Sequence, residues 1–171
     1  MEINKKRYRD LDSYYKLKFN KKIIKLPLDG GFTCPNRDGS LSKRGCIYCS
    51  ENGAGDFTKF GDLYEQIDFQ ISRLKKPNRN EGYVAYFQNF TSTYGDIEKM
   101  KDIFYGAIRN PNIMGLSLAT RADCLNDEVL DLLEDLNKKT FLNIELGLQS
   151  VNEKSIEFIN RGYSHKDFDK G

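Results

Sequence analysis

Three cysteines stand close together in the chain, Cys34-x11-Cys46-x2-Cys49, and a fourth, Cys124, stands far from them. Three thiolates on one loop can hold three irons of a cubane and leave the fourth iron without a protein ligand, and an open iron is where chemistry happens. The same residue types suit zinc. A Cys-x2-Cys pair is a frequent zinc-ligand spacing, and Cys124 would then complete a four-cysteine site, although the usual second Cys-x2-Cys pair is absent. Gly39 and Gly45 let the loop fold around either occupant. The basic start Met1–Arg9 runs into no apolar leader, so metal ligation or reduced thiols fit these cysteines better than disulfides, and the expected compartment is the cytoplasm.

The loop that carries the thiols, Phe32 to about Asp56, is too rich in glycine and polar residues to be a packed element, so regular elements on either side must position it. Lys22–Leu28 is short, β-branched and apolar, and Asp29-Gly30-Gly31 stops it as expected for a strand. Beyond the loop a regular alternation begins. Leu63, Ile67, Ile71 and Leu74 recur at helical spacing, with Pro77-Asn78 as the stop. Tyr83–Gln88 reads as a strand, and Ile97, Met100, Ile103, Phe104, Ala107 and Ile108 as a second helical stripe closed by Asn110-Pro111. Ile113–Ala119 is a third strand. Asn126 caps a helix with Asp127 and Glu128 in its first turn and Val129, Leu130, Leu132, Leu133 and Leu136 along it. Phe141–Leu148 is a fourth strand, and a shorter helix occupies about Asn152–Asn160.

Strands alternating with helices in this way imply an α/β fold with a parallel sheet and right-handed crossovers, in which functional groups collect at the carboxyl ends of the strands. The unusual residues fall there: the cysteines after the first strand, Gln88 and Asn89 after the second, Thr120 and Arg121 after the third, Gln149 after the fourth. Gln88 and Thr91 offer hydrogen-bond acceptors, or form an ordinary strand-end turn. Arg121 suits a ligand carboxylate or a salt bridge to Asp123. Glu145, inside an apolar strand, needs a partner, whether functional or an internal Lys or Arg. His165, the lone histidine, reads as a surface side chain. Asn36-Arg37-Asp38-Gly39 reads first as a turn, and Gly53-Ala54-Gly55 as a turn before the next helix. The fourth strand has no following unit to cover its edge, and this implies a longer native protein.

Cys-Pro-Asn-Arg-Asp-Gly (34–39) followed by Gly-Cys-Ile-Tyr-Cys-Ser (45–50) resembles the radical S-adenosylmethionine (SAM) superfamily, and within it the YhcC/YtqA-like subfamily, related to the Elongator catalytic-subunit class. The spacing is wider than the superfamily's commonest x3 form. The likeness runs from about Arg7 to Phe168. It implies a [4Fe–4S] cluster on Cys34, Cys46 and Cys49, SAM chelating the open iron, and a 5′-deoxyadenosyl radical that abstracts a hydrogen atom after one-electron reduction. It further implies a reducing donor of flavodoxin or ferredoxin type, and a fold made of the first four or so βα units of a (β/α)6 barrel, the radical SAM type of partial parallel (β/α) barrel.

The resemblance also assigns cofactor contacts. Tyr48, before the last cysteine, matches an aromatic residue near the adenine. Gln88 and Thr91 stand where many relatives carry a glycine-rich motif for the methionyl amine, and those glycines are absent. Thr-Arg-x-Asp at 120–123 continues the Elongator-like pattern, with Arg121 as a carboxylate partner and without the SAM-binding glutamate of some relatives. Glu145–Ser150 is the second strong match, aligning Gln149 with a glutamine near the ribose and Arg161 with an arginine near the methionyl carboxylate. No residue is assigned to catalysis proper.

Composition bounds the partners. With 171 residues, 39% of them apolar, the chain can bury one sizeable core, and no stretch approaches a membrane span. The net charge is only +2, but residues 1–25 hold nine Lys or Arg against three acids, interleaved with Tyr8, Tyr14, Tyr15 and Phe19. Such a segment suits RNA, or it is a solvated, mobile lead-in. The expected division is thus a basic lead-in over 1–21 and the N-terminal half of a radical SAM core over 22–171. The competing function is a zinc-stabilised nucleic-acid-binding module without catalysis.

Overall fold

The structure, a computed structural model, describes residues 7–51, 53, 57–59, 61–74 and 81–171. Four strands, β1 (Lys22–Leu28), β2 (Glu81–Phe87), β3 (Ile113–Thr120) and β4 (Phe141–Leu146), form one parallel sheet in the order β1-β2-β3-β4. Helices α2 (Leu63–Ser72), α3 (Ile97–Arg109) and α4 (Asp127–Lys139) are the crossovers, and α1 (Leu11–Phe19), α5 (Glu153–Phe158) and α6 (His165–Lys170) flank them. The chain is therefore α/β with alternating strands and helices. Among the described residues no helix is long and apolar enough to cross a membrane.

Each crossover starts where a short acceptor side chain meets free backbone donors. Asp62 accepts from the amides of Tyr64 and Glu65, Asp96 from Glu98, and Asn126 from Val129. Such caps satisfy donors that no helical carbonyl reaches. The apolar faces they open bury Ile67, Met100, Phe104, Leu132 and Leu136 against Leu26, Leu28, Phe87, Leu116 and Leu118 of the strands. Other residues of the same strands serve a second cluster. There Tyr15 packs with Ile23 and Val84, and Phe19, Met114 and Phe141 lie against it. Gly115 is where β3 meets β4 too closely for a side chain, since a Cβ there would lie 2.6 Å from the Phe141 carbonyl oxygen.

Two differences from the sequence reading have physical causes. Nine residues of the supposed lead-in, Leu11–Phe19, are helix: Asp10 caps α1, and Tyr15, 2% exposed, sets its ring edge-on to Phe141 at 5.9 Å, with Phe19 doing the same at 5.3 Å. Tyr8, Tyr14 and Leu17 stay exposed. The fourth strand ends at Leu146, two residues early, because the Leu148 and Ser150 carbonyls turn to accept from Arg161. A further helix, α6, is present with a full capping box on Ser164 and Asp167. The expected Pro77-Asn78 stop lies outside the described residues, as do Ala54 and Gly55.

Candidate functional site

The carboxyl ends of the strands surround a cavity of about 360 Å³. Cys34, Cys46 and Cys49 all line it. Two asparagines, one of them buried, fold the cysteine loop. Asn36, wholly buried, donates through Nδ2 to Cys46 Sγ (3.3 Å) and to the Asn160 carbonyl (2.6 Å). Asn160 replies by donating to the Gly45 carbonyl at 2.6 Å. The segment read as a simple turn therefore clamps the cysteine loop to the end of α5. Arg37 adds a second tie, its Nη2 donating to the carbonyls of Cys49 (2.7 Å) and Ser50 (2.6 Å).

Burial pushes the Cys49 thiol above its ordinary value; the Arg37 guanidinium works against this, while Cys46 and Cys34 reinforce it. These thiols thus sense one another, as groups sharing a site do. Among the described residues no three Cys, His, Asp or Glu side chains are grouped as ligands of a metal ion, so the trio shares a cavity wall and not a closed coordination shell. Cys124 is absent from the lining of that cavity but stands within electrostatic reach of Cys34. It lines a second cavity with Pro35, Thr93, Tyr94 and Asn126, and burial, then Asp123, push its thiol up to about 12.

All six residues assigned by resemblance to cofactor contacts, Tyr48, Gln88, Thr91, Arg121, Gln149 and Arg161, line the first cavity. Their states differ. Tyr48 is half exposed, and burial of its phenol, followed by a hydrogen bond with Cys46, raises its pKa. Thr91 is 1% exposed, and its Oγ1 has no hydrogen-bond partner among the described residues. Gln149 holds a left-handed backbone, φ 57°, where β4 has left the sheet. Arg121 is committed: Nε and Nη2 grip Asp123 at 2.9 and 2.7 Å, and Nη1 donates to the Arg161 carbonyl at 2.9 Å. Of its two readings, the salt bridge is the one formed.

Arg161 is 1% exposed. Its Nη1 donates to the carbonyls of Leu148 (2.7 Å) and Ser150 (3.2 Å), and its Nε to that of Tyr163 (3.1 Å). Its Nη2 has no partner, and no carboxylate pairs with it among the described residues. Tyr163 lies between two guanidiniums, 4.6 Å from Arg121 and 4.2 Å from Arg161, with its hydroxyl on the Gly147 carbonyl at 2.6 Å. Such stacking spreads positive charge over an aromatic face. Nothing in the sequence distinguishes Tyr163 from an ordinary tyrosine; the contacts that matter arrive from distant loops.

Glu145 borders the cavity and has the internal partner it required. Lys25 pairs with it, Tyr86 and Ser117 each donate at 2.9 Å, and Asn143 at 3.1 Å. Lys25 also sits 4.2 Å from the Tyr86 ring centre. One polar layer thus spans all four strands. Burial opposes ionisation of Glu145, but the hydrogen bonds from Lys25, Tyr86 and Ser117 outweigh it and hold the carboxyl below its usual value. A folded pKa below the unfolded one stabilises the fold fully above about pH 4.3 and ceases to do so as pH falls through the folded value. The urea midpoint of Glu145→Gln should therefore lie below that of the parent at neutral pH, with the gap closing as pH falls below the ordinary carboxylate range. A gap constant with pH would remove the carboxylate as its source. His165, in contrast, is 3.7 Å from Asp169 on α6 and does not line the cavity.

No family model matches the chain. It is 40% identical over 168 residues to the uncharacterized protein YtqA of Bacillus subtilis (strain 168), covering 97% of this chain and 52% of that protein. Protein YhcC of Escherichia coli (strain K12) is 37% identical over 148 residues, 85% of this chain and 47% of its own length. An uncharacterized protein of Methanocaldococcus jannaschii is 37% identical over 162 residues, 92% of this chain and 49% of its own. The chain spans about half the length of the curated relatives it matches.

Proposed function

We propose that this chain is the cofactor-binding part of a radical SAM enzyme, with Cys34, Cys46 and Cys49 as ligands of a [4Fe–4S] cluster and its four βα units as the first part of a (β/α)6 barrel. The observation that carries the reading is the content of one cavity. It combines three thiols with, among the described residues, a buried arginine that has a free donor and no acid partner and a buried threonine hydroxyl without a partner. A buried cation is costly unless an anion meets it, and an orphaned buried hydroxyl costs about 1–3 kcal/mol. A ligand with a carboxylate and an ammonium group answers both. This donor set therefore fits an amino-acid cofactor lying beside thiolate-held iron.

In this assignment Arg161 Nη2 receives the carboxylate, Thr91 Oγ1 accepts from the ammonium with Gln88 beside it, Tyr48 lies along the adenine, and Gln149 meets the ribose. Arg121, already held by Asp123, supports Arg161 through its backbone. The bound cluster and cofactor would supply one-electron cleavage of a sulfonium, giving a 5′-deoxyadenosyl radical. A flavodoxin- or ferredoxin-type donor, a cytoplasmic setting and an RNA substrate belong to the same proposal, the last supported by the basic, aromatic segment before β1. The zinc reading is the alternative, and the position of Cys124 on a different cavity counts against it.

The test is anaerobic reconstitution with iron and sulfide. A brown chain with about four irons is expected, which after dithionite reduction converts SAM to methionine and 5′-deoxyadenosine. A colourless chain holding one zinc ion, and losing it on Cys124→Ser, would replace the proposal with the zinc-stabilised module.

A further inference from the structure

We infer that Arg37 is a positioning residue that places a fixed positive charge against the Cys49 side of the cysteine cavity and so raises the reduction potential of the cluster held there. The inference rests on the proposed function and goes beyond it, since binding of the cluster does not require Arg37 to be charged.

The guanidinium is locked by several independent contacts. Its Nη2 bridges the Cys49 and Ser50 carbonyls at 2.7 and 2.6 Å, and its Cζ lies 6.0 Å from the Phe90 ring centre. Gly45 makes room for it: a Cβ at that position would stand 2.7 Å from Arg37 Nε, and the backbone there has φ 71°. The residue that leaves the guanidinium space is thus the one immediately before Cys46. Arg37, Gly45 and Phe90 all line the cavity with the three cysteines.

The charge is not spent on another side chain. No carboxylate pairs with Arg37 among the described residues, and its Nε is buried with no hydrogen-bond partner. Guanidinium stays protonated at any working pH, so this is a permanent cation with an unmet donor on the wall of a thiol-lined cavity. A cluster bound by three thiolates is anionic there, and the one electron it takes from a donor makes it more so, with no proton needed for balance. A cation fixed nearby, partly screened from water, stabilises the reduced form more than the oxidised one.

The experiment compares the reconstituted chain with Arg37→Gln and Arg37→Lys by anaerobic redox titration with dithionite, following visible absorbance and the reduced-state electron paramagnetic resonance signal, with iron content measured alongside. In Arg37→Gln the ratio of reduced to oxidised cluster at a fixed potential should fall about tenfold, a shift of about 59 mV for one electron, while Arg37→Lys lies between it and the parent. If Arg37→Gln loads no iron, Arg37→Lys loading normally and titrating close to the parent supports the charge role. Equal potentials in parent and Arg37→Gln overturn the inference, and so does loss of iron from both variants, which makes Arg37 only a brace for the loop. A parent chain that never loads iron sinks the proposed function itself, an outcome distinct from these.

Discussion

Cys49→Ser should reduce the iron bound after anaerobic reconstitution by about tenfold or more, as should Cys34→Ser and Cys46→Ser, whereas Cys124→Ser should load as the parent does. The contrast follows from where the four thiols stand. The first three line one cavity, and each would hold one iron, so an oxygen in place of any sulfur leaves an iron without its soft ligand. Cys124 lines another cavity, so a cluster held by the other three thiols does not need it. The variants should fold, because the loop is clamped by Asn36 and Asn160 and tied by Arg37 chiefly through backbone carbonyls, Cys46 Sγ accepting a single further bond from Asn36. Iron content, visible absorbance and far-ultraviolet circular dichroism together make the comparison. Loss of metal in folded Cys124→Ser as well as in the other three variants would turn the site into a four-cysteine one.

Much of this placement could be read along the chain because it is local. The strand Lys22–Leu28 begins and ends as expected, since β-branched residues run into Asp29-Gly30-Gly31 without ambiguity. Asn126 caps α4 as expected because an acceptor before two acids and an apolar stripe is a signal contained in one turn. The cysteine trio is equally local, three thiols on one loop. What escaped reading depends on distant partners. Helix α1 is rich in charge, and the residue that gives its apolar side something to cover is Phe141, far along the chain. The early end of β4 depends on Arg161 drawing the Leu148 and Ser150 carbonyls out of the sheet. Asn36 reads as a turn residue until Cys46 and Asn160 are brought to its amide. Arg121 had two credible partners, and geometry chose the nearer one in sequence.

Arg161→Met should lower stability by about 1–3 kcal/mol, because the partly buried Leu148 and Ser150 carbonyls and the buried Tyr163 carbonyl lose their donors. That loss alone says nothing about a ligand. Arg161→Lys separates the two roles. An ammonium keeps the positive charge and can still satisfy one or two carbonyls, but it has no fork with which to hold those carbonyls and also present a donor to the cavity. In the iron-loaded chain this variant should remain folded, with its cluster absorbance intact, yet bind SAM about 100-fold more weakly by equilibrium dialysis. The step rests on the one nitrogen of Arg161 that has no partner among the described residues. Were Arg161→Lys, folded and loaded, to bind the cofactor within about threefold of the parent, Nη2 would not be the carboxylate's partner. The buried cation would then serve only to draw the chain out of β4, and the anion that compensates it would have to be the thiolate cluster across the cavity.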